Sequence, residues 1–473
     1  MQVWNKVSKM AGPAIRKMQD ELLHQIVNEE MAVRHPFYRN MFKEKGLDPA
    51  AIKSVEHLQD VPFTTKEDVA PRDDDLFRPK QFVLEATLNN QGAKKKKGSL
   101  FGGKDKGKSA DDYKFYTLFY TAGRTGKPVP IEYTHYDLAN LRESGARLYD
   151  VLALTRDDTM INAFTFAPNA FFWQMFYSAI DIGSTTLQTG GGKVLGMEKI
   201  LKAMDSMEAP VLVAAPGYAT FALQTLDHFG FSAEKLERIV IGIDYAPMEA
   251  VEKIAGLMQG VGARDNRVHR VYFNSEAKAG WGECDPGYGY HTNPDHILIE
   301  VVDPVSGKKM GEGEKGELVI THLDARGTVF LRFRTGDIAT EGITYEPCPN
   351  CKRTVPRIMG DIERKEAFYS MFAGGNEITF NTSALRKYMI SRDDILIWYA
   401  ELENNGNNDQ VKVVLKGLSG IDEDTLIKTL KDDLHKEFSL PVEVEKSTLD
   451  AIANKIGLEK NITEQLIFDT RNS

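Results

Sequence analysis

Two glycine-containing segments of this chain have residues that could hold phosphate groups. Residues Gly102–Ser109 match the Gly-x-x-x-x-Gly-Lys-Ser pattern of a P-loop. That motif requires a buried strand before the loop and a helix after it, and the flanking residues 94–100 and 110–112 have neither pattern. We therefore interpret this match as part of a solvated, lysine-rich loop.

The second segment is Tyr120–Pro128, which follows the apolar run Phe115–Tyr120 and precedes Val129–Tyr133. Its two glycines let backbone N–H groups approach oxygen ligands closely, and its hydroxyls and cations suit a polyphosphate. Taken alone, the segment predicts either a phosphate loop or an ordinary hairpin turn. Its candidate phosphate contacts are Thr121, Gly123, Arg124, Thr125, Gly126 and Lys127.

The three cysteines of the chain form an odd, sparse set that does not predict a disulfide framework. Cys348 and Cys351 have the Cys-x-x-Cys spacing of half a zinc knuckle, and Cys284 with His291 could complete a Cys₃His set. Such a set would close a tetrahedral site and predicts a structural zinc ion. Free thiols are the alternative that the spacing leaves open.

The secondary-structure pattern that must position these residues changes twice along the chain. Residues 81–86 predict a short strand. From about residue 115, apolar strand-like runs such as Thr185–Gln188 alternate with helical ones, which predicts an α/β domain with largely parallel strands. After residue 295 the pattern changes to hairpins, with strands at Gly316–His322 and Phe330–Arg334, which predicts a small β subdomain. The tail from about residue 361, with a strand at Val442–Lys446, predicts a small α+β domain. We therefore expect domains at 1–360 and 361–473.

The amino-acid composition disfavours two classes of function, nucleic-acid binding and membrane insertion. The chain has 473 residues, 42% of them apolar and 27% charged, with a net charge of -9. An acidic chain does not favour nucleic acid as a partner. No apolar run reaches the roughly 18–20 residues of a membrane helix, and the N-terminus lacks a signal-peptide pattern. The sequence therefore predicts a cytoplasmic protein that binds neither nucleic acid nor membranes.

Tyr120–Pro128 resembles the phosphate loop of adenylate-forming enzymes, the acyl-CoA synthetase superfamily, and most of all its phenylacetate-CoA ligase branch. Further segments resemble that branch's motifs in the same order: Val61–Asp68, Tyr272–Glu276, Arg332–Asp337 and Arg357–Gly360. The resemblance implies a large adenylation domain followed by a small, mobile C-terminal lid domain. It also implies ATP and Mg²⁺ as cofactors.

The resemblance implies a role for each matching residue. Lys127, Glu276 and Arg357 are the implied catalytic residues, with Glu276 at the Mg²⁺ site and Asp337 on the ribose hydroxyls. The remaining nucleotide contacts it implies are Gly242, Asp244, Tyr245, Tyr272, Asn274 and Ser275. The aromatic residues that would border an acyl pocket are Phe166, Trp173 and Tyr218, and ordinary core packing is the alternative. A flat aryl or arylacetic acid would suit such a pocket.

The implied reaction begins when the acid attacks the α-phosphate of ATP, which gives an acyl-adenylate and pyrophosphate. Transfer of the acyl group to CoA then gives a thioester. Positioning and charge stabilisation dominate such chemistry, so no protein nucleophile is required. Some members of the branch bind zinc through cysteine and histidine at these places, and the branch often forms homodimers.

Three departures from the family pattern leave the second half-reaction open. Arg124 replaces a threonine of the loop, and the hinge reads Gly360-Asp-Ile-Glu-Arg instead of Gly-Arg-x-Asp-Asp. Thr463 stands where the family has a C-terminal lysine, with Lys460 and Lys455 nearby. Three functions remain: an acid–CoA ligase, an adenylating enzyme with another acceptor (as in deazaflavin-coenzyme synthetases, which transfer AMP), and a catalytically silent nucleotide-binding protein.

Overall fold

The computed structural model describes residues 1–86, 110–121, 127–166, 170–406, 408–458 and 464–471. The basic segment Gly102–Ser109 and residues 122–126 of the predicted phosphate loop lie outside these ranges. The fold is mixed α/β and divides into two compact units. Unit 1 contains Met1–Arg156, Pro168–Gly183 and Val271–Gly360, and unit 2 contains Asp157–Ala167, Ser184–Arg270 and Asp361–Ser473.

The predicted boundary between residues 360 and 361 coincides with a limit of both units. Unit 2, however, also contains most of the alternating α/β segment that we assigned to the N-terminal domain. The division into domains at 1–360 and 361–473 therefore stays a prediction.

Unit 2 contains the parallel sheet that the alternating pattern predicts. Met160 pairs with both Thr186 and Val211, so its strand lies between the other two. The strands of this sheet lie in the order Thr185–Gln188, Thr159–Asn162, Val211–Ala214, Arg238–Ile241 and the first half of Arg267–Asn274. The connecting helices are Gly192–Leu195, Met197–Ser206, Pro216–Phe229 and Met248–Gly260. Their apolar faces and the sheet share one buried cluster, which explains why short, wholly apolar strands form here.

The C-terminal part of unit 2 is the predicted α+β fold. Its sheet has the order Val442–Lys446, Asp409–Gly417, Ile395–Asn404, Ile467–Asp469. Its other elements are the strand Ile362–Arg364, the hairpin Phe368–Ala373 with Asn376–Asn381, and the helices Thr382–Ile390, Glu423–Phe438 and Leu449–Ile456. Leu426, Leu430 and Leu434 recur at helical spacing and are buried against this sheet, so one helix face closes the core.

Unit 1 combines helices with antiparallel strands. Its helices are Gln2–Val7, Gly12–Ile26, Ala32–Arg34, Pro36–Lys45, Lys66–Val69, His135–Val151 and Ala170–Ile182. Its paired strands are Phe115–Tyr120 with Pro130–Thr134, and Ile297–Val302, Gly316–His322 and Phe333–Ala339 in that order. Three short strands, Ile343–Thr344, Arg357–Ile358 and Tyr290–His291, form a further sheet, and Ala279–Gly282 pairs with the second half of Arg267–Asn274. The predicted β subdomain is thus confirmed.

Two local predictions in unit 1 were wrong. A strand was expected at residues 81–86, but the first two of these residues belong to the 3₁₀ helix Arg78–Phe82. Pro79 lies in the first turn of that helix. The strand expected from Phe330 begins at Phe333, because Phe330 N–H and Leu331 N–H donate to the side chains of His322 and Tyr38 and Arg332 has a positive φ of 50°. Among the described residues, no helix is both long and apolar enough to cross a membrane.

Candidate nucleotide and metal sites

The predicted phosphate loop joins two paired strands of unit 1. Phe115–Tyr120 and Pro130–Thr134 are antiparallel, and the Thr121 and Val129 backbones continue the pairing with an N–H···O bond of 3.0 Å. The Thr121 hydroxyl accepts a hydrogen bond from Val129 N–H at 3.0 Å. Thr121 therefore closes the base of the loop. The residues between, Gly123, Arg124, Thr125 and Gly126, lie outside the described ranges.

Lys127 stands at the far end of this loop and forms an ion pair with Asp73. The side chain of Lys127 is 46% exposed and that of Asp73 is 98% exposed. The neighbouring ammonium lowers the pKa of Asp73 through a hydrogen bond and charge attraction. An ion pair in such contact with water contributes little free energy, so Lys127 can exchange this partner for a phosphate oxygen at small cost.

A buried carboxylate lies beside the Tyr272–Glu276 motif. Asp337, on the strand Phe333–Ala339, is 1% exposed. Its Oδ2 accepts hydrogen bonds from the Tyr272 hydroxyl at 2.6 Å and from Asn274 Nδ2 at 3.1 Å. Tyr272 and Asn274 are two residues apart in a strand and so lie on the same face. The structure thus brings together three predicted nucleotide contacts that are far apart in sequence.

Ser275 and Glu276 occupy the tight connection between the paired strands Arg267–Asn274 and Ala279–Gly282. Asn274 Oδ1 accepts a hydrogen bond from Ala277 N–H at 2.8 Å and so fixes the turn from within. Both Ser275 and Glu276 are half-buried, an exposure that suits ligands of a solvated cation.

The side chain of Arg357 is buried and held in one orientation. It pairs with His291 in the short sheet of unit 1 and is 4% exposed. Its guanidinium donates hydrogen bonds to the carbonyl oxygen of Tyr288 and, at 3.2 Å, to that of Glu346. These two bonds fix the plane of the group, and its role toward the nucleotide stays a prediction.

In unit 2 the segment Gly242–Tyr245 follows the strand Arg238–Ile241, at the carboxyl end where ligands bind in open α/β sheets. Asp244 accepts two hydrogen bonds from Arg386, at 3.3 and 3.0 Å. The Arg386 guanidinium also lies over the Tyr245 ring, 5.2 Å from its centre. Sequence reasoning did not identify Arg386, because only the fold places helix Thr382–Ile390 against this segment.

The altered hinge residue Asp361 is also engaged within unit 2. It accepts a hydrogen bond from Arg270 at 2.6 Å and lies 2.5 Å from the Lys387 ammonium. Two cations therefore hold the carboxylate that replaces the arginine of the family pattern. The C-terminal candidate Lys455 forms an ion pair with Glu401 at 2.8 Å, and Lys460 and Thr463 lie outside the described ranges.

The three predicted acid-pocket residues have different surroundings. In unit 2, Tyr218 is 5% exposed within the apolar core, whereas Phe166 is 44% exposed. In unit 1, Trp173 is half-buried, with its ring 5.9 Å from that of Phe176 and 6.0 Å from that of Tyr177. Their contact with a substrate stays a prediction.

Gln174, which follows the predicted pocket residue Trp173, is a further candidate for a polar contact with the acid, and that contact stays a prediction. Its Nε2 donates to the Ser144 hydroxyl at 2.9 Å, and its side chain is fully buried within unit 1. A Cβ on Gly280 would lie 2.8 Å from Gln174 Oε1. The amide thus occupies the space that the glycine leaves between helix and strand.

The four predicted zinc ligands form one cluster in unit 1. The ligand atoms of Cys284, His291, Cys348 and Cys351 all lie within 4.8 Å of one another. The Cys284 and Cys348 sulfurs are 3.6 Å apart, and His291 Nε2 lies 3.1 Å from the Cys351 sulfur. Hydrogen bonding from Cys284 and His291 lowers the pKa of Cys351, which favours a thiolate ligand. The donor set and spacing fit tetrahedral zinc.

Comparison with known proteins decides the family. A model of the AMP-binding enzyme family matches residues 41–323. The chain belongs to the AMP-binding enzyme family. This membership confirms the resemblance inferred from the ordered motifs.

Individual relatives agree with this assignment. The chain is 29% identical over 354 residues to the phenylacetate-coenzyme A ligase of Thermus thermophilus, a match that covers 74% of this chain and 69% of the relative. It is 24% identical over 401 residues to the enzyme of the same name from Pseudomonas putida, covering 82% and 80%. A crystal structure of 2-hydroxyisobutyryl-CoA ligase in complex with 2-HIB-AMP has the same fold, with a TM-score of 0.77, 17% identity, and coverage of 99% of this chain and 92% of that one.

Proposed function

We propose that this protein uses ATP to convert a carboxylic acid into its acyl-adenylate and then transfers the acyl group to CoA. The observation that carries the proposal is the cluster of Asp337, Tyr272 and Asn274, three buried polar residues of the family motifs. Hydrogen bonds from Tyr272 and Asn274 hold one oxygen of the Asp337 carboxylate in place. Such an oriented acceptor suits the hydroxyls of a ribose.

The phosphate end of ATP would lie against Lys127, the loop that Thr121 closes, and Mg²⁺. Lys127 can release Asp73 at small cost, and Glu276 with Ser275 would supply oxygen ligands for the cation. Bound Mg²⁺ supplies charge neutralisation at the phosphates. Within unit 1, Arg357 is a further nucleotide contact that we propose. The contacts expected for Gly242, Asp244 and Tyr245 of unit 2 stay predictions.

The proposed acid is aryl or arylacetic, and the proposed acceptor is CoA. Two relatives carry the name phenylacetate-coenzyme A ligase, which supports both choices. An acceptor other than CoA is the second candidate, because Thr463 replaces the expected lysine and Lys455 is paired with Glu401.

ATP–pyrophosphate exchange with a panel of acids tests the proposal. The panel would include phenylacetate, benzoate and 2-hydroxyisobutyrate, each with and without CoA. We expect exchange that requires an aryl acid, and a thioester product when CoA is present. Exchange without a thioester would favour another acceptor, and ATP binding without exchange for every acid would refute acid activation.

We also propose that Cys284, His291, Cys348 and Cys351 bind one structural zinc ion. Four protein ligands leave no open coordination position, so the ion would brace the segment after Glu276 to the hairpin beyond Asp337 within unit 1. Metal analysis of protein never exposed to chelator should give about one zinc per chain. A clearly lower zinc content would refute this site.

A homodimer and a cytoplasmic location, both expected from the sequence, stay predictions. Light scattering on the purified protein would measure its mass against the 53.0 kDa of one chain. A mass of one chain across a wide concentration range would contradict the dimer.

A further inference from the structure

Lys278 is a buried cation two residues after Glu276, and neither the motifs nor the proposed reaction assigns it a role. Its side chain is only 7% exposed, although lysine is almost never fully buried without a partner. Its ammonium lies 3.1 Å from Asp137 Oδ1 and donates a hydrogen bond to the Glu132 carbonyl oxygen at 3.0 Å. It also lies 4.7 Å from the centre of the Tyr133 ring.

Asp137, the partner of Lys278, is itself fixed from several sides. Its carboxylate accepts hydrogen bonds from the backbone N–H groups of Thr134, Arg326 and Gly327, at 2.9, 3.0 and 2.7 Å. Thr134 and Asp137 form the capping box that begins helix His135–Val151. The ammonium of Lys278 is therefore held by a rigid carboxylate and not by a mobile surface group.

The backbone of Lys278 closes the turn that carries Glu276. Lys278 N–H bonds to the Ser275 carbonyl at 3.2 Å, and Lys278 has a positive φ of 56°. A residue with a side chain adopts this left-handed conformation only when its surroundings hold it there, and glycine is the usual choice. Lys278 thus occupies a position whose backbone conformation favours glycine.

The contacts of Lys278 connect two parts of the candidate site. Glu132 and Tyr133 belong to the strand Pro130–Thr134, which leaves the phosphate loop. Lys278 N–H closes the turn that carries Ser275 and Glu276. The Lys278 side chain therefore joins this turn to the strand Pro130–Thr134.

We propose that Lys278 is a positioning residue for Glu276: its ammonium ties the turn Ser275–Lys278 to the strand Pro130–Thr134 and so fixes the Glu276 carboxylate relative to that strand. This inference rests on the proposed role of Glu276 as a Mg²⁺ ligand. Lys278 itself need touch neither nucleotide nor metal. Its effect is to keep the turn that carries Glu276 in a fixed position against the strand Pro130–Thr134.

The test measures how much Mg²⁺ tightens ATP binding, by calorimetric titration of wild type, Lys278→Gly and Lys278→Met. The glycine variant fits the left-handed backbone and lacks the ammonium, so it separates the charge from the turn conformation. Mg²⁺ tightens ATP binding by a certain factor in wild type, and we expect this factor to be at least about fivefold smaller in both variants. The affinity for ATP without Mg²⁺ should stay within about twofold of wild type.

Arg147→Met is the matched control. Arg147 forms a buried ion pair with Asp295 at 2.6 Å in the same unit, and none of its contacts within the described part of the chain is with a candidate nucleotide residue. We expect this variant to lower thermal stability while the Mg²⁺ effect on ATP binding stays at the wild-type value. If it reduces the Mg²⁺ effect as much as the Lys278 variants do, a general loss of stability explains both and the proposal is overturned.

Two further outcomes decide the inference. A Lys278→Gly variant with wild-type Mg²⁺ dependence would show that the ammonium does not position Glu276. A wild type whose ATP affinity does not respond to Mg²⁺ would overturn the inference at its premise, the role of Glu276 as a Mg²⁺ ligand. Acid-dependent pyrophosphate exchange is measured separately on the wild type. Its absence would refute acid activation while the binding titrations still decide the role of Lys278.

Discussion

The hydroxyl of Tyr272 lies 2.6 Å from Oδ2 of Asp337, and both side chains are buried in unit 1. The bond joins a strand that ends in the Ser275–Glu276 turn to a strand of the β subdomain. It therefore sets the direction in which the Asp337 carboxylate faces.

Replacing Tyr272 with phenylalanine should weaken ATP binding and leave acid binding unchanged. A hydrogen bond to a charged group contributes about 1.5–3 kcal/mol, so we expect the KM for ATP in pyrophosphate exchange to rise about tenfold or more. The matched control is Tyr133→Phe, because the buried Tyr133 hydroxyl has no hydrogen-bond partner among the described residues. Equal KM values for ATP in the two variants would contradict the ribose role of Asp337.

Removing Asp73, the negative partner of Lys127, should change the KM for ATP only slightly. Removing Lys127 should greatly lower the rate of pyrophosphate exchange. The Asp73–Lys127 ion pair is solvent-exposed, and such pairs contribute little free energy because water screens the two charges. We expect Asp73→Asn to change the KM for ATP by less than about threefold. Lys127→Met should lower exchange by about a hundredfold, the scale of losing one charge-stabilising donor. A larger effect from Asp73→Asn than from Lys127→Met would show that Lys127 has a structural role.

Loss of one ligand should empty the proposed zinc site. We expect Cys351→Ala to reduce zinc from about one ion per chain to a small fraction, and to lower Tm. A chelator should lower the Tm of wild type toward that of the variant and leave the variant unaffected, because structural zinc contributes folding free energy directly. An unchanged zinc content in Cys351→Ala would show that the metal lies elsewhere.

Acid should destabilise unit 1 through His322. Burial, together with the nearby Lys278 charge, lowers the pKa of His322 from 6.5 to about 3. Between these two values the unfolded chain takes up a proton that the folded chain does not, so stability falls as pH decreases from 6.5 toward 3. This single group should cost about 2 kcal/mol between pH 7 and pH 5.

Chemical denaturation of wild type and His322→Asn at several pH values measures this effect. Asparagine can still accept the hydrogen bond that Phe330 N–H donates to His322 Nδ1 at 2.9 Å, but it does not titrate. We expect a smaller loss of unfolding free energy in the variant between pH 7 and pH 5. His57→Asn, at an exposed position, is the control and should retain the wild-type dependence. Identical pH dependence in wild type and His322→Asn would refute the assignment.

Much of the architecture follows from local sequence. Thr185–Gln188, Gly316–His322 and Val442–Lys446 have the predicted bounds, because short apolar or alternating runs between turn residues favour strands whatever their neighbours. The strand expected at Phe330 was displaced because the N–H groups of Phe330 and Leu331 bond to the side chains of His322 and Tyr38. Such bonds leave no local signal.

The sequence by itself determined the residue types of the candidate site: the glycine loop, the Tyr272–Glu276 motif, the late Asp337 and the Cys₃His set. Spacing along the chain limits which chemistry these groups can perform, and their order identified the family. Only the tertiary structure decided which of them meet. The Tyr272–Asp337 bond spans 65 residues and the Lys278–Asp137 pair lies across separate elements, so sheet register and burial, which depend on the whole fold, place these groups together.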